Sequence, residues 1–91
     1  MREKSSVLED IFSSRGRIRV LLTVFRLGEA NISRIVRETG MHHSVVARHL
    51  EKLVDTGILV ERRYGRIRLF RVNYADPKTV VVRDLIETLE G

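Results

Sequence analysis

Two apolar-periodic stretches, one short and one longer, each closed by a glycine, constrain this chain more than any other feature. Asn31 opens the first, because an asparagine side chain can accept a hydrogen bond from an amide in a helix's first turn. Ile32, Ile35 and Val36 then lie on one side of a helix predicted over about Ile32 to Thr39, and Gly40 closes it. After Met41 a longer helix is predicted from about His42 or His43 to Thr56, stopped by Gly57. The turn Gly40-Met41-His42 between them is tight. A short helix, a tight turn and a longer helix have the spacing of a helix-turn-helix, here residues 31–57.

The flanks add elements on both sides. Ser6 and Glu9 form a capping-box pattern, so a short helix should follow with Val7, Leu8, Ile11 and Phe12 on one stripe. A second helix is predicted over about Arg17 to Leu27, ended by Gly28, and its apolar residues fall on more than one face. That distribution suits a central helix packed on two sides. Downstream, Ile58 to Arg63 reads as a strand, Tyr64-Gly65-Arg66 as a turn and Ile67 to Asn73 as a second strand, giving a hairpin over 58–74. Ile67 and Leu69 share one hairpin face, Phe70 and Val72 the other, so both faces have something to meet. Asp76 and Pro77 start a last helix to about Glu90, with Val81 or Val82, Leu85, Ile86 and Leu89 as its stripe. With 91 residues the chain has room for one compact domain, residues 1–91, mainly α with about five helices and a β-hairpin.

Charge is unevenly placed. The net charge is +5, a sign that favours an anionic partner. Residues 15–28 carry Arg15, Arg17, Arg19 and Arg26 with no acid, and residues 58–74 carry Arg62, Arg63, Arg66, Arg68 and Arg71 against Glu61 alone. Only Lys4, Lys52 and Lys78 are lysines, and guanidinium forks match phosphate and guanine edges better than an ammonium does. The chain has no cysteine, which excludes disulfides and thiolate metal sites and is consistent with a reducing cytoplasm. No stretch approaches the ~20 apolar residues of a membrane span, and Met1 to Ser6 does not read as a secretory leader.

The order helix, helix, helix-turn-helix, hairpin, helix resembles the winged-helix regulators, particularly bacterial and archaeal ArsR-type and MarR-type repressors. The likeness is clearest from Asn31 to Asn73, where Ile32 to Leu53 follows the family's helix-turn-helix and Gly57-Ile58-Leu59-Val60-Glu61-Arg62 its entry into the wing. The resemblance implies sequence-specific binding of double-stranded DNA by a homodimeric transcription regulator, cytoplasmic and nucleoid-associated. Metal-responsive ArsR-type proteins use cysteine, histidine and carboxylate sites, and the cysteines are missing here.

The residues support that reading independently. On the fourth helix Val46, Leu50 and Leu53 fall in a narrow arc and should face the core, leaving Ser44, Ala47, Arg48 and Glu51 outward. Small residues at 44 and 47, with Val45 beside them, let the helix approach a major-groove floor, while Arg48 and His43 can reach a base edge or phosphate. Arg62, Arg63, Arg66 and Arg68 surround the hairpin tip, suiting backbone phosphates or the minor groove. Edge protection is the plainer alternative, and a single charge would serve it. Arg15, Arg17 and Arg34, and also Arg19, stand near helix starts that favour phosphate; Arg71 is expected to face another subunit or a carboxylate.

His42 and His49 share a helix face but stand roughly 10.5 Å apart, too far to chelate one ion. His49 is expected to be partly buried and hydrogen-bonded, and His42 to sit at the helix cap. No metal, cofactor, catalytic motif or effector pocket is marked. Val7, Leu8, Ile11 and Phe12 (residues 1–14), with Val81, Val82, Leu85, Ile86 and Leu89 (residues 76–91), exceed what a small core can cover and suggest a dimer interface. Rival readings are an architectural chromatin protein that coats DNA without preference, a protein-binding winged domain and, last, a nuclease.

Overall fold

The computed structural model describes residues 6–90; the leader reading at Met1 to Ser5, the charge of Lys4, and Gly91 lie outside the described residues. Caps set most helix boundaries. α1 (Val7–Phe12) begins at Ser6, whose hydroxyl accepts from the Glu9 amide at 3.1 Å while the Glu9 carboxylate accepts from the Ser6 amide at 3.2 Å. α2 (Arg15–Leu27) starts two residues earlier than the apolar pattern predicts, because Ser14 caps it by accepting from the Arg17 amide at 3.2 Å. α3 spans Ile32–Thr39, with the Asn31 side chain accepting from the Arg34 amide at 2.8 Å. α4 (His43–Asp55) is capped by the His42 imidazole and α5 spans Pro77–Glu90. The Asp76 carboxylate accepts from the Lys78 amide at 3.0 Å, the capping role its sequence predicts.

One strand is not marked by the sequence pattern. Between α2 and α3 the chain runs extended as β1 (Glu29–Asn31), which pairs antiparallel with β3 (Ile67–Val72) so that Ala30 faces Phe70. β2 (Leu59–Tyr64) pairs on the other edge of β3, giving the order β1-β3-β2. The hairpin is therefore anchored at its base by a third strand. Three residues are too few to show a period of two in sequence.

The core explains why α2 needs apolar residues on several faces. Val20, Leu21 and Val24 of α2 are buried with Ile35 of α3, Val46, Leu50 and Leu53 of α4, Ile58 just before β2, and Leu59 and Phe70 of the sheet. α2 touches α1, α3, α4, β1 and β3. One sheet face, with Leu59, Phe70 and Val72, meets this core; the other carries Val60 and Leu69 half-buried, and Tyr64 and Ile67 exposed. The base of α5 is tied down through polar groups. The buried Thr79 hydroxyl donates to the Asn73 carbonyl at 2.6 Å, and the Asn73 side chain donates to the Gly57 carbonyl at 2.8 Å.

The terminal helices correct part of the expected dimer surface. Ile11, Val82 and Ile86 are at most 9% exposed and belong to the protomer's own core. Leu8, Val81, Leu85 and Leu89 remain exposed, and Val7 and Phe12 are half-buried. Val7, Leu8, Phe12, Val81 and Leu85, together with Pro77, line an apolar groove of about 410 Å³ between α1 and α5, and Leu89 lies outside that lining.

Candidate nucleic-acid interface

α4 is held by its inner side and displays its outer one. Val46, Leu50 and Leu53 have no solvent exposure, which fixes the helix's rotation. Ser44, Arg48 and Glu51 then stand exposed, with Val45 and Ala47 half-buried beside them, as the 3.6-residue period requires. The helix start is organised by His42, whose Nδ1 accepts from the Ser44 amide at 3.2 Å and lies 3.0 Å from the Ser44 hydroxyl. His43, the first helical residue, lines an open cleft of about 300 Å³ with Asn31, Ser33, Arg66 and Ile67. The fold thus brings the starts of α3 and α4 up to the hairpin tip.

The hairpin arginines divide into two groups. Arg62 and Arg66 are exposed, and among the described residues neither they nor Arg15 or Arg48 enter an ion pair. Arg63 is exposed too but rests on Glu61 at 3.2 Å. Arg68 differs, because its guanidinium forks onto the same carboxylate through Nε at 2.7 Å and Nη2 at 3.2 Å. That hydrogen bond, followed by the nearby arginine charges, holds the Glu61 carboxyl below the usual carboxylate range against the opposing effect of burial. Arg71 reaches Glu29 at 4.0 Å, a carboxylate partner of the expected kind.

The arginines of α2 and α3 are also unequal. Arg15 is exposed on the first turn of α2, whereas Arg17 turns inward. Its Nε donates to Nδ1 of His49 at 3.2 Å and its Nη1 donates to the Asp10 carbonyl. Arg17 therefore joins the end of α1 to α4, which differs from the phosphate role its position in the sequence suggested. His49 is 8% exposed; burial first, then the charges of Arg17 and Arg48, hold its pKa below the ordinary 6.5. The neutral ring this favours is the form that can accept from Arg17. Gly16 makes the approach possible, since a Cβ there would come within 3.0 Å of both the His49 ring and the Met41 methyl. Nothing in sequence spacing signals this contact, which joins residues 32 apart.

Arg34 keeps an exposed side chain but shares the Glu38 carboxylate with Arg26, at 3.0 and 3.1 Å. Those two hydrogen bonds lower the Glu38 pKa. Arg19 donates to the Thr39 carbonyl at 2.7 Å, closing the end of α3. The outcome is a surface in which Ser44 and Arg48 on α4, His43 at its start, and Arg62, Arg63 and Arg66 on the hairpin stand exposed, with Arg15 exposed on α2 and Arg34 on α3 partly neutralised.

Comparison with known proteins points the same way. The description "Bacterial regulatory protein, arsR family" matches residues 14–60. Among solved structures, the AntR antimony-specific transcriptional repressor is similar at 26% identity and a TM-score of 0.76, covering 91% of this chain and 73% of that one. An ArsR family transcriptional regulator is 28% identical, with a TM-score of 0.65 and coverage of 91% and 92%. The transcriptional repressor BigR from Xylella fastidiosa, at 20% identity, shares the fold with a TM-score of 0.74 over 90% of this chain and 81% of its own. No curated protein matches the chain by sequence.

Proposed function

Because this chain belongs to the arsR family of bacterial regulatory proteins, we propose that it binds double-stranded DNA sequence-specifically as a homodimer and regulates transcription by occupying a promoter. The observation that carries the proposal is the exposed side of α4, where Ser44 and Arg48 face solvent beside a hairpin whose Arg62 and Arg66 enter no ion pair among the described residues. α4 would lie in a major groove, with Arg48 reading a guanine edge or holding a phosphate, and Ser44, Ala47 and Val45 allowing close approach. His43 would contact a base or phosphate at the helix start. Arg62, Arg63 and Arg66 would lie along the backbone or minor groove, and Arg15 and Arg34 would reach flanking phosphates.

The exposed Leu8, Val81, Leu85 and Leu89 and the groove between α1 and α5 support association of two copies. A two-fold dimer would set its two α4 helices about one DNA turn, roughly 34 Å, apart on a near-palindromic site.

The test is selection of a site from a random duplex pool, followed by competition between that site and bulk random DNA. The proposal expects a preference on the order of 10³ or more at physiological salt. Binding without preference would instead identify a protein that coats DNA.

A further inference from the structure

We propose that Arg68 is a positioning residue, a strut that fixes the angle between the hairpin and α4, rather than a further phosphate contact. The inference rests on the DNA-binding reading above and deepens it. Register comes first: Glu61 pairs with Phe70, and Arg63 with Arg68, so Glu61 and Arg68 are diagonal neighbours on the sheet face that begins in the core with Leu59, Phe70 and Val72. Arg68 sits where that face leaves the core. Its side chain is 25% exposed and that of Glu61 22%, unlike the 66% of Arg63.

Three contacts engage the one guanidinium. It forks onto both Glu61 oxygens at 2.7 and 3.2 Å, lies 5.2 Å from the centroid of the fully buried Phe70 ring, and brings Nη2 within 3.8 Å of the Glu51 carboxylate on the exposed side of α4. One planar group therefore touches the core, the opposite strand and the DNA-facing helix. Only a rigid fork with a stackable face can do this; a lysine offers a point charge and no plane. Beyond it, the tip has little to lean on, since Tyr64 and Ile67 are 60% and 52% exposed. A two-stranded tip without packing is marginally ordered in water. Its direction, and with it the place of Arg66, depends on the contact just below.

The sign of one substitution separates strut from phosphate contact. Glu61→Gln removes a negative charge from a basic surface. If Arg68 were a phosphate ligand restrained by Glu61, the change would release it and tighten binding. If Arg68 is a strut, binding weakens although the surface becomes more positive. Arg68→Lys keeps the charge and should weaken binding as well. The experiment measures affinity for the selected site with the full chain carrying Glu61→Gln, Arg68→Lys, Arg66→Ala, and Glu61→Gln with Arg66→Ala. Thermal melting confirms folding, and amide exchange of Ile67 to Phe70 is followed in the free protein.

We expect each of Glu61→Gln and Arg68→Lys to weaken binding by about threefold or more, the scale of a partly exposed ion pair. The penalty of Arg66→Ala should shrink in the Glu61→Gln background, because a displaced tip has less to lose, and tip amides should exchange faster. Equal or tighter binding by Glu61→Gln, an undiminished Arg66→Ala penalty, or unchanged exchange overturns the proposal. Failure of the unmodified chain to bind any duplex would defeat the functional reading instead, and the exchange measurement would still judge the strut.

Discussion

Truncating Leu8 and Val81 together to alanine should separate association of the protomers from their folding. Both side chains are mostly exposed, 61% and 67%, so the protomer's core loses little. The change removes roughly three carbons at Leu8 and two at Val81, each worth about 0.8 kcal/mol when fully buried. With about two-thirds of each side chain newly covered on association, the loss is roughly 1.5 and 1 kcal/mol per protomer. Two-fold symmetry counts every change twice, for a ceiling of about 5 kcal/mol. Imperfect burial and side-chain ordering reduce this by about half, leaving dimerisation roughly 50- to 100-fold weaker. Sedimentation equilibrium across a concentration series measures the constant directly. The variant should shift toward the 10.5 kDa protomer while keeping its helical spectrum. Dimerisation as tight as that of the unmodified chain, or a monomeric unmodified chain, would refute the assignment of the α1–α5 groove.

Acid should destabilise the chain through His49. Its folded pKa lies below the ordinary 6.5, so the unfolded chain takes up that proton first; stability is full above about pH 6.5 and falls as pH drops toward the lower folded value. Denaturant titrations from about pH 8 to about pH 5 should show the loss, and His49→Gln should remove that part of it; an identical pH slope in the variant contradicts the assignment. At Gly57, with φ +89°, an added Cβ would come 2.7 Å from the Asp76 carboxylate, so Gly57→Ala should cost roughly 1–3 kcal/mol in thermal melting. At Gly65, φ +61° and no neighbour within 4 Å, so Gly65→Asn should be nearly silent, and equal effects at the two sites would show that the clash is relieved. Arg66→Ala should weaken binding to selected and random duplexes alike and reduce the salt slope by about 0.9. A loss confined to the selected site would make Arg66 a base-reading residue instead.

Local chemistry made most of the fold legible. Asn31 and Gly40 bound α3 at the residues where sequence places its ends, because a cap is a contact between near neighbours. The inner arc of Val46, Leu50 and Leu53 is equally local, and it orients Ser44 and Arg48 without further information. What escaped depends on partners distant in sequence. β1 is a strand only because β3 lies beside it. Helical period identifies Ile11, Val82 and Ile86 as apolar-face residues but cannot say whether this protomer or another covers them; here the protomer does. Among the arginines, a charge count treats Arg17 and Arg68 like Arg62 and Arg66. Only the tertiary contact with His49 and the strand register with Glu61 show that the first two are engaged internally.

DNA recognition by the outward face of α4 stands or falls with Arg48→Ala. Affinities of the unmodified chain and the variant are compared on the selected site, on that site with each base pair changed, and on random duplex. A guanine contact by Arg48 should cost the variant about 1–3 kcal/mol on the selected site, with discrimination lost at one position of each half-site and random-duplex binding little changed. Unchanged affinity and an unchanged base-preference profile would contradict it.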